Sequence, residues 1–494
     1  LSGNKLRAEL WLVLAALLTA TSCELFKPVD STGTRTSDRR DRSDDDLDPV
    51  QSRRVFDEES GSYVYVSAPT APMDTIRWQE VTGEGEDPIG EDDTYAYVPP
   101  PELAPTAPGL PPVRQIGTGR NGSRLLTGYG VDYVLPFLTN RNSAESEAID
   151  ENSLWALHFY SGAELALDEL NTPEVAFDVR AQDSRATTSG IERVIGSPAF
   201  ERSQLIIGPY LKPQVTQMAE AVRGLEKVLI SPYSAATGVS ESNTNYVQVN
   251  PTLETHLRNL LGHAYRTQGA DRIVLVAPAG QRARLAYFQD EYKQLTGDRE
   301  AAPLEEMIIS GAVPDLSRYL RGRRTVFMLP VYEDEAFVAE FVRRAYQATV
   351  DEMGDNVAIY GLPQWLNFNR LNGEFLEATN VHISSSVFID PLSEEVRRFR
   401  RSFYDRYATL PRDEAYIGYD ITRYFLDMAA KYGTRFQFQL PDNPADLMHT
   451  SFRFSPVAVV PATAAGLDEA VIDRFENKFV NILRYRDFSY QRVN

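Results

Sequence analysis

From Val131 onward the chain alternates short apolar runs with amphipathic stretches, and this alternation restricts the possible folds more than any other feature. Asp132 to Leu138, Glu174 to Arg180, Gln204 to Ile207, Lys227 to Pro232 and Tyr246 to Val249 read as buried strands. Between them, Asn152 to Leu170 predicts a helix, because Phe159, Ala163, Ala166 and Leu170 fall on one stripe. Thr187 to Arg202 predicts another. A third begins at Pro213, a residue suited to a first turn, and turns Val215, Met218, Ala219 and Val222 inward. A second series starts near Pro251, with helices over Leu253 to Tyr265, Arg282 to Leu295 (stopped by Gly297) and Glu335 to Thr349. Its strands are Arg272 to Val276, Met307 to Ile309, Thr325 to Met328 and Asn356 to Tyr360. Strands separated by helices predict mostly parallel sheets with helices on both faces. Two such series predict an α/β body of two lobes with a cleft between them.

Composition narrows the function. A chain of 494 residues has room for two or three cores. A formal net charge of −20 argues against nucleic acid or anionic lipid as the main partner, since both need a dense cationic face. One Cys excludes an intrachain disulfide framework and a Cys-based zinc cluster, and five scattered His give neither HExxH nor HxH. No metal and no cofactor is expected. No GxxxxGK[ST], GxSxG or Cys nucleophile occurs, so an enzyme is not expected either.

The first residues read as a targeting segment. Lys5 and Arg7 precede an apolar run from Leu10 to Ala20, too short to cross roughly 30 Å of hydrocarbon. Leu18-Thr19-Ala20-Thr21-Ser22-Cys23 resembles a bacterial lipobox, with Ala20 where Leu is usual, and the resemblance implies cleavage before Cys23 and lipidation of that residue. Residues 1–22 are thus expected to be a lipoprotein signal peptide and 23–125 a disordered acidic and Pro-rich tether. Thr36 to Asp48 is mixed charge without an aromatic, Glu84 to Asp93 is acidic, and Pro99 to Pro112 favours polyproline II. Ser62 to Ser67 and Ile76-Arg77-Trp78 are small apolar islands, either docking strands or incidental. Gly117 to Gly122 fits GxGxxG, but it precedes the first strong strand instead of following one, so it reads as a flexible entry linker.

Four segments in order carry a family resemblance: Phe159 to Leu167, Ile206-Ile207-Gly208-Pro209, Leu229-Ile230-Ser231-Pro232 and Ala415 to Asp420. They resemble type I periplasmic binding proteins, the group of branched-chain amino-acid receptors and of non-transporting activators of peptidoglycan synthases. The tail, with Phe436-Gln437-Phe438 and Lys478 to Tyr485, is similar to a branch found in envelope proteins. The resemblance covers 126–494 and implies a first lobe of about 126–249 plus 390–450 and a second of about 250–389 plus 451–494. It implies a small solute, or a peptide or sugar, bound in the cleft, with a permease as partner. The alternative is a scaffold that regulates a cell-wall enzyme. The place implied is the periplasmic side of a bacterial envelope, with the choice of inner or outer membrane open.

In open α/β sheets, ligands bind beyond the carboxyl ends of the strands. This selects Phe137, Thr139, Tyr210, Leu211, Lys212, Tyr233 and Ser234 in the first lobe, and Pro278, Gly280, Gln281, Tyr332, Gln364 and Trp365 in the second. Amino-acid receptors of this type usually have Ser or Thr where Leu211 and Lys212 stand, an acid near Gln364 and Trp365, and Tyr-Gly where Ala279-Gly280 lies. A free α-amino acid is therefore not the expected ligand. Tyr210, Tyr233, Tyr332 and Trp365 are expected to form an aromatic cleft suited to a sugar or peptide, unless they only pack the hinge. The cluster Arg397, Arg398, Arg400 and Arg401 is expected to be an ion-paired helix face, with Glu394 and Glu395 one turn earlier.

Overall fold

The computed structural model describes residues 113–494, except 142–148, 171–173, 298–300, 353–355 and 460–470, together with the backbone of 52–57 and 62–67. The chain divides into two units, one spanning Val29–Gly109 and one containing the body. In the first, β1 (Ser52–Asp57) pairs antiparallel with β2 (Ser62–Ser67), so the island at Ser62 is a strand. The signal segment, Cys23 and most of the expected tether lie outside the described residues.

The body begins earlier than the expected tether end at residue 125. Strands β3 (Gln115–Thr118) and β4 (Arg124–Leu126) form a hairpin on it. The Ser123 hydroxyl donates to the Tyr432 carbonyl, Arg124 N–H donates to Thr434 Oγ1 at 3.1 Å, and Arg435 N–H donates to Ser123 Oγ at 2.9 Å. The Gly-rich GxGxxG stretch is therefore the turn of a hairpin that caps the end of a long helix, not a free linker.

Strands β5 (Gly128–Leu135), β6 (Ala176–Asp183), β7 (Ser203–Ile207), β8 (Val228–Ser231) and β9 (Tyr246–Gln248) form a parallel set in the order β6-β5-β7-β8-β9. The second lobe repeats this order with β10 (Arg272–Pro278), β11 (Leu304–Ile309), β12 (Thr325–Met328), β13 (Val357–Gly361) and β14 (Val381–Ser385), arranged β11-β10-β12-β13-β14. The short strands β15 (Ala445–Asp446) and β16 (Ser451–Phe452) pair with each other. The chain then adds β17 (Phe454–Val459) and β18 (Val471–Asn477) to the first sheet, and β19 (Asn481–Arg486) and β20 (Ser489–Arg492) to the second, making each seven-stranded. All eight residues of β5 are buried, as expected for a strand covered by helices on both faces.

Three expectations are corrected here. Residues 451–477 belong to the first lobe, not the second: β18 runs parallel to β9 with Phe475 opposite Val247, and Phe452, Phe454 and Phe475 join the core around Tyr424 and Phe425. The helix expected over Thr187 to Arg202 is two, Thr188–Ile195 and Pro198–Arg202, because Ser197 Oγ accepts from Phe200 N–H and Pro198 opens a new first turn. The arginine cluster on the helix Glu394–Tyr407 is exposed, but its expected partner Glu395 lies 3.8 Å from Arg423 instead. Strand β14, which no expectation covered, has only two aliphatic residues among Val381-His382-Ile383-Ser384-Ser385. Three of the five His are buried in the second lobe: His256 lies 2.9 Å from Ser384 Oγ, the rings of His263 and His382 are 5.4 Å apart beside Tyr360, and burial lowers their pKa values to about 4, about 4 and about 3.

Two glycines fix the helix pair that covers the first sheet. A Cβ at Gly162 would fall on the Ala415 carbonyl, and one at Gly418 would fall on the Phe159 carbonyl, so the helices Leu154–Leu170 and Asp413–Tyr432 meet backbone to backbone. This is the physical content of two of the four resembling segments. Gly418→Val is expected to force these helices apart at a cost of about 3 kcal/mol, seen as a loss of several degrees in Tm. Gly280→Ala, at a site with open space around it, is the control and should leave Tm unchanged.

Candidate functional site

The strand order determines where each sheet can bind. In both lobes the second strand lies outside the first, so the connections leave in opposite directions after β5 and β7, and again after β10 and β12. Such switch points open a crevice at the strand carboxyl ends. Phe137, Thr139, Tyr210, Leu211 and Lys212 follow β5 and β7, while Gly280, Gln281 and Tyr332 follow β10 and β12.

The loop after β5 is held by Asp183, at the end of β6. Its carboxylate accepts from Leu138 N–H at 3.1 Å, Thr139 N–H at 2.9 Å, Thr139 Oγ1–H at 2.7 Å and Arg185 N–H at 2.8 Å. Burial alone would raise the Asp183 pKa, but these donors hold it below the usual carboxylate value. They also hold buried Leu138 at a left-handed φ of 51°, which a branched residue adopts only under such constraint. Thr139 is thus a positioning residue whose hydroxyl is engaged, and Phe137 packs edge-on against Tyr160 at 5.9 Å. After β7, Gly208 has φ 100°, and a Cβ there would fall on the Val134 carbonyl. Leu211 precedes the helix Lys212–Val222 and gives it no side-chain cap, while Lys212 stands half-buried at its first position.

The four aromatics do not form one cleft. Tyr210 and Tyr233 both pack edge-on against Trp155, at 5.0 and 5.2 Å. The Tyr233 hydroxyl is buried without a hydrogen-bond partner, and Ser234 is buried beside it in sequence. In the second lobe, Tyr332 lies beneath the Arg284 guanidinium at 4.2 Å, and Gln281 accepts from Arg284 at 2.9 Å. Pro278 ends β10 half-buried, next to exposed Ala279 and Gly280. Trp365 is 1% exposed in the second core, its Nε1–H donating to the Val331 carbonyl at 2.7 Å, where Gly361 leaves room for the indole. It is therefore a core residue and not a cleft wall. Its neighbour Gln364 keeps a buried Oε1 without a partner.

The chain crosses between the sheets three times, from β9 to the helix Leu253–Thr267, from β14 to the helix Glu394–Tyr407, and from β18 to β19. The first and third crossings converge on Glu476, which is fully buried. Its carboxylate accepts from Thr252 Oγ1 and Thr255 Oγ1 at 2.7 Å each, from Arg474 at 2.7 Å and from Lys478 at 2.8 Å. Thr252 N–H also donates to it at 3.2 Å, at the start of the helix Leu253–Thr267. The second crossing is tied in by Phe388 N–H to the His449 carbonyl at 2.8 Å and Asn481 Nδ2–H to the Ser385 carbonyl at 3.2 Å. Sequence analysis missed this cluster and Asp183. In Asp473-Arg474-Phe475-Glu476, a charge on each side of one aromatic reads as an outward face.

No protein-family model and no curated protein matches the chain. Among solved structures, a branched-chain amino acid ABC transporter protein from Rhodospirillum rubrum aligns at 15% identity and a TM-score of 0.53, over 74% of this chain and 100% of that one. The body has the type I periplasmic-binding-protein fold. Full-length LpoA from Haemophilus influenzae aligns at 14% identity and a TM-score of 0.46, over 77% of this chain and 60% of that one.

In this type I body, Glu476 links the covalent connections between the lobes. Burial opposes its charge, but Lys478, Arg474 and Thr255 together hold its pKa down, from 4.5 to about 2. A depressed carboxylate adds stability that is present above about pH 4.5 and lost as pH falls toward about 2. Glu476→Gln is expected to cost about 3 kcal/mol at pH 7 by leaving Lys478 without its counter-charge and Arg474 with Asp473 alone. The gap between the urea midpoints of variant and parent should narrow at pH 3; an equal gap at both pH values would falsify the ionic account.

Proposed function

We propose that the protein is a receptor of the bacterial envelope that captures a small solute between its lobes and does not transform it. The observation that carries this reading is a set of buried polar atoms without hydrogen-bond partners at and just past the carboxyl ends of β8, β9 and β13: Tyr233 OH and Gln248 Oε1 in the first lobe, and Gln364 Oε1 in the second. Buried polar groups are ordinarily paired, so an unpaired set at the strand carboxyl ends supports a ligand site. The cleft residues proposed as contacts are Tyr210, Lys212, Tyr233, Ser234, Gln281, Tyr332 and Gln364. The solute class is a peptide or sugar in preference to a free amino acid, and a permease is the partner for uptake. The test is a thermal-shift screen of the full chain against amino acids, short peptides, sugars and muropeptides. A ligand at a hundred times its Kd adds about 2.7 kcal/mol, enough for a measurable rise in Tm. Tyr233→Phe, which keeps the ring against Trp155 and removes only the unpaired hydroxyl, should weaken the binding of any hit without lowering the Tm of the free protein.

Leu211 and Lys212, in place of the usual Ser or Thr, favour a second reading, a non-transporting regulator of a cell-wall enzyme. If no compound shifts Tm and an envelope enzyme is retained on the immobilised protein, this second reading replaces the first.

Among the described residues no helix is long and apolar enough to cross a membrane. A lipid on Cys23 is the proposed anchor, supported by Lys5, Arg7 and the apolar run before it. Cys23→Ala is expected to move the protein from the membrane to the soluble fraction; a variant that still sediments with lipid refutes the anchor.

A further inference from the structure

We propose that the seam between β14 and β19 is an acid-sensitive latch of the second lobe, which loosens when the buried histidines His256, His263 and His382 take up protons. This goes beyond the receptor reading above and does not depend on it. All three histidines lie on β14 or against it, and each is at most 7% exposed. His382 is in the strand, stacked on Tyr360 of β13 with ring centroids 4.7 Å apart, and its Nδ1–H donates to the Asn380 carbonyl at 2.8 Å. His263 and His256 come from the helix Leu253–Thr267. The first has its ring 5.4 Å from that of His382, and the second has Nδ1 2.9 Å from Ser384 Oγ. On its other side β14 pairs antiparallel with β19, where Arg484 is directly opposite His382. The second crossing departs from β14 and the third arrives at β19, so the seam joins the segments by which the chain leaves and re-enters the second lobe.

What faces these rings is mostly neutral or cationic. Arg484 has no ion pair among the described residues, and its Nε is buried without a partner. Arg266, one turn after His263, has no ion pair there either, and the two guanidinium groups oppose a charge on His382 and His263. From β13 comes Tyr360, whose hydroxyl accepts from Gln268 Nε2–H at 2.9 Å and can donate its proton to His263 Nδ1 at 2.8 Å, a bond that protonated His263 no longer accepts. The turn Pro363–Asn367 has no charged residue, and Glu374 and Glu377 of the helix Gly373–Ala378 are engaged by Tyr346 O–H and Asp487 N–H. Glu476 alone favours a charge, on His256, and Arg474 and Lys478 already neutralise it. A charged His256 would also carry a second N–H donor at Nε2, which has no partner. Burial, with these neighbours, holds the pKa values of His256 and His263 at about 4 and of His382 at about 3, against an ordinary 6.5. A lowered histidine pKa gives stability that is complete above about pH 6.5 and is lost as pH falls from there toward the folded value. At pH 5 each site weakens folding roughly thirty-fold. The loss from Glu476 begins only below about pH 4.5, so the two effects occupy different intervals.

The experiment is hydrogen exchange of the full chain at pH 7.5 and pH 5, read by mass spectrometry and corrected for the intrinsic pH dependence of exchange. Acid is expected to lower the protection of β14 and β19 roughly tenfold or more relative to β5 and β7 of the first lobe. An equal change in both lobes overturns the latch. The double variant His263→Gln with His382→Gln cannot charge these sites, so most of the relative change should vanish, whatever happens to protection at pH 7.5. A relative change as large as the parent's overturns the assignment to these residues. His158→Gln, which removes a half-buried histidine of the first lobe, should leave β14 and β19 behaving as in the parent. If the double variant does not fold, the imidazole C2–H resonances of the folded parent decide: three that stay neutral down to pH 5 support the latch, and titration of all near pH 6.5 overturns it. In a solute receptor the same loosening releases the solute in acid. The exchange measurement uses no solute, so a silent ligand screen leaves the latch standing, and a failed latch leaves the receptor reading in place.

Discussion

The two-lobed body depends on one buried carboxylate. Glu476 leaves the last residues of β18, meets the amino terminus of the helix Leu253–Thr267, and is neutralised by Arg474 and Lys478 on either side of it in sequence. A charge so deep is tolerated only when its lone pairs are all used, and here two hydroxyls, a backbone N–H and two cations use them. Each of those donors comes from a segment that enters or leaves a crossing. The geometry that joins the lobes is therefore specified by polar contacts with directional requirements, whereas the lobes themselves are held by apolar packing.

Each sheet presents its loops at the strand carboxyl ends for the same topological reason, and the two sets of loops differ in chemistry. The first carries the Tyr210–Trp155–Tyr233 cluster. The second carries Arg284 stacked on Tyr332. The Asp183 clamp and the Gly208 turn hold the intervening loops at fixed positions, so less ordering is left to be done when a ligand arrives.

Most of the α/β body was legible in the sequence because apolar strand runs such as Leu205 to Ile207 and Val326 to Met328 are buried on both faces and tolerate few alternatives. The helix stripes were legible for the same reason. The C-terminal strands were not, since Phe454 to Val459 and Asn481 to Arg486 have similar patterns and nothing local tells which sheet each will join; β18 is assigned only by its pairing with β9. Candidate loops were found by their place after strands, but what each side chain does there was hidden. Thr139 is occupied by Asp183, and Trp365 turns into the core because Gly361 makes room, and both facts depend on residues distant in sequence or on three-dimensional packing. The Gly-rich stretch before β4 misled because its ordering comes from Tyr432 and Thr434, some three hundred residues later.

The return of the chain to both sheets at its end has a consequence for biosynthesis. β17 and β18 complete the first sheet and β19 and β20 the second, so all four closing strands come from residues 454–492. Until that stretch has been synthesised, β9 and β14 are open edges with unpaired backbone groups, and Glu476 is absent from the junction. Neither lobe can reach its final state on the ribosome ahead of the other. The nascent chain therefore stays incompletely folded until it is finished, the condition in which a polypeptide can still be threaded through a narrow membrane channel.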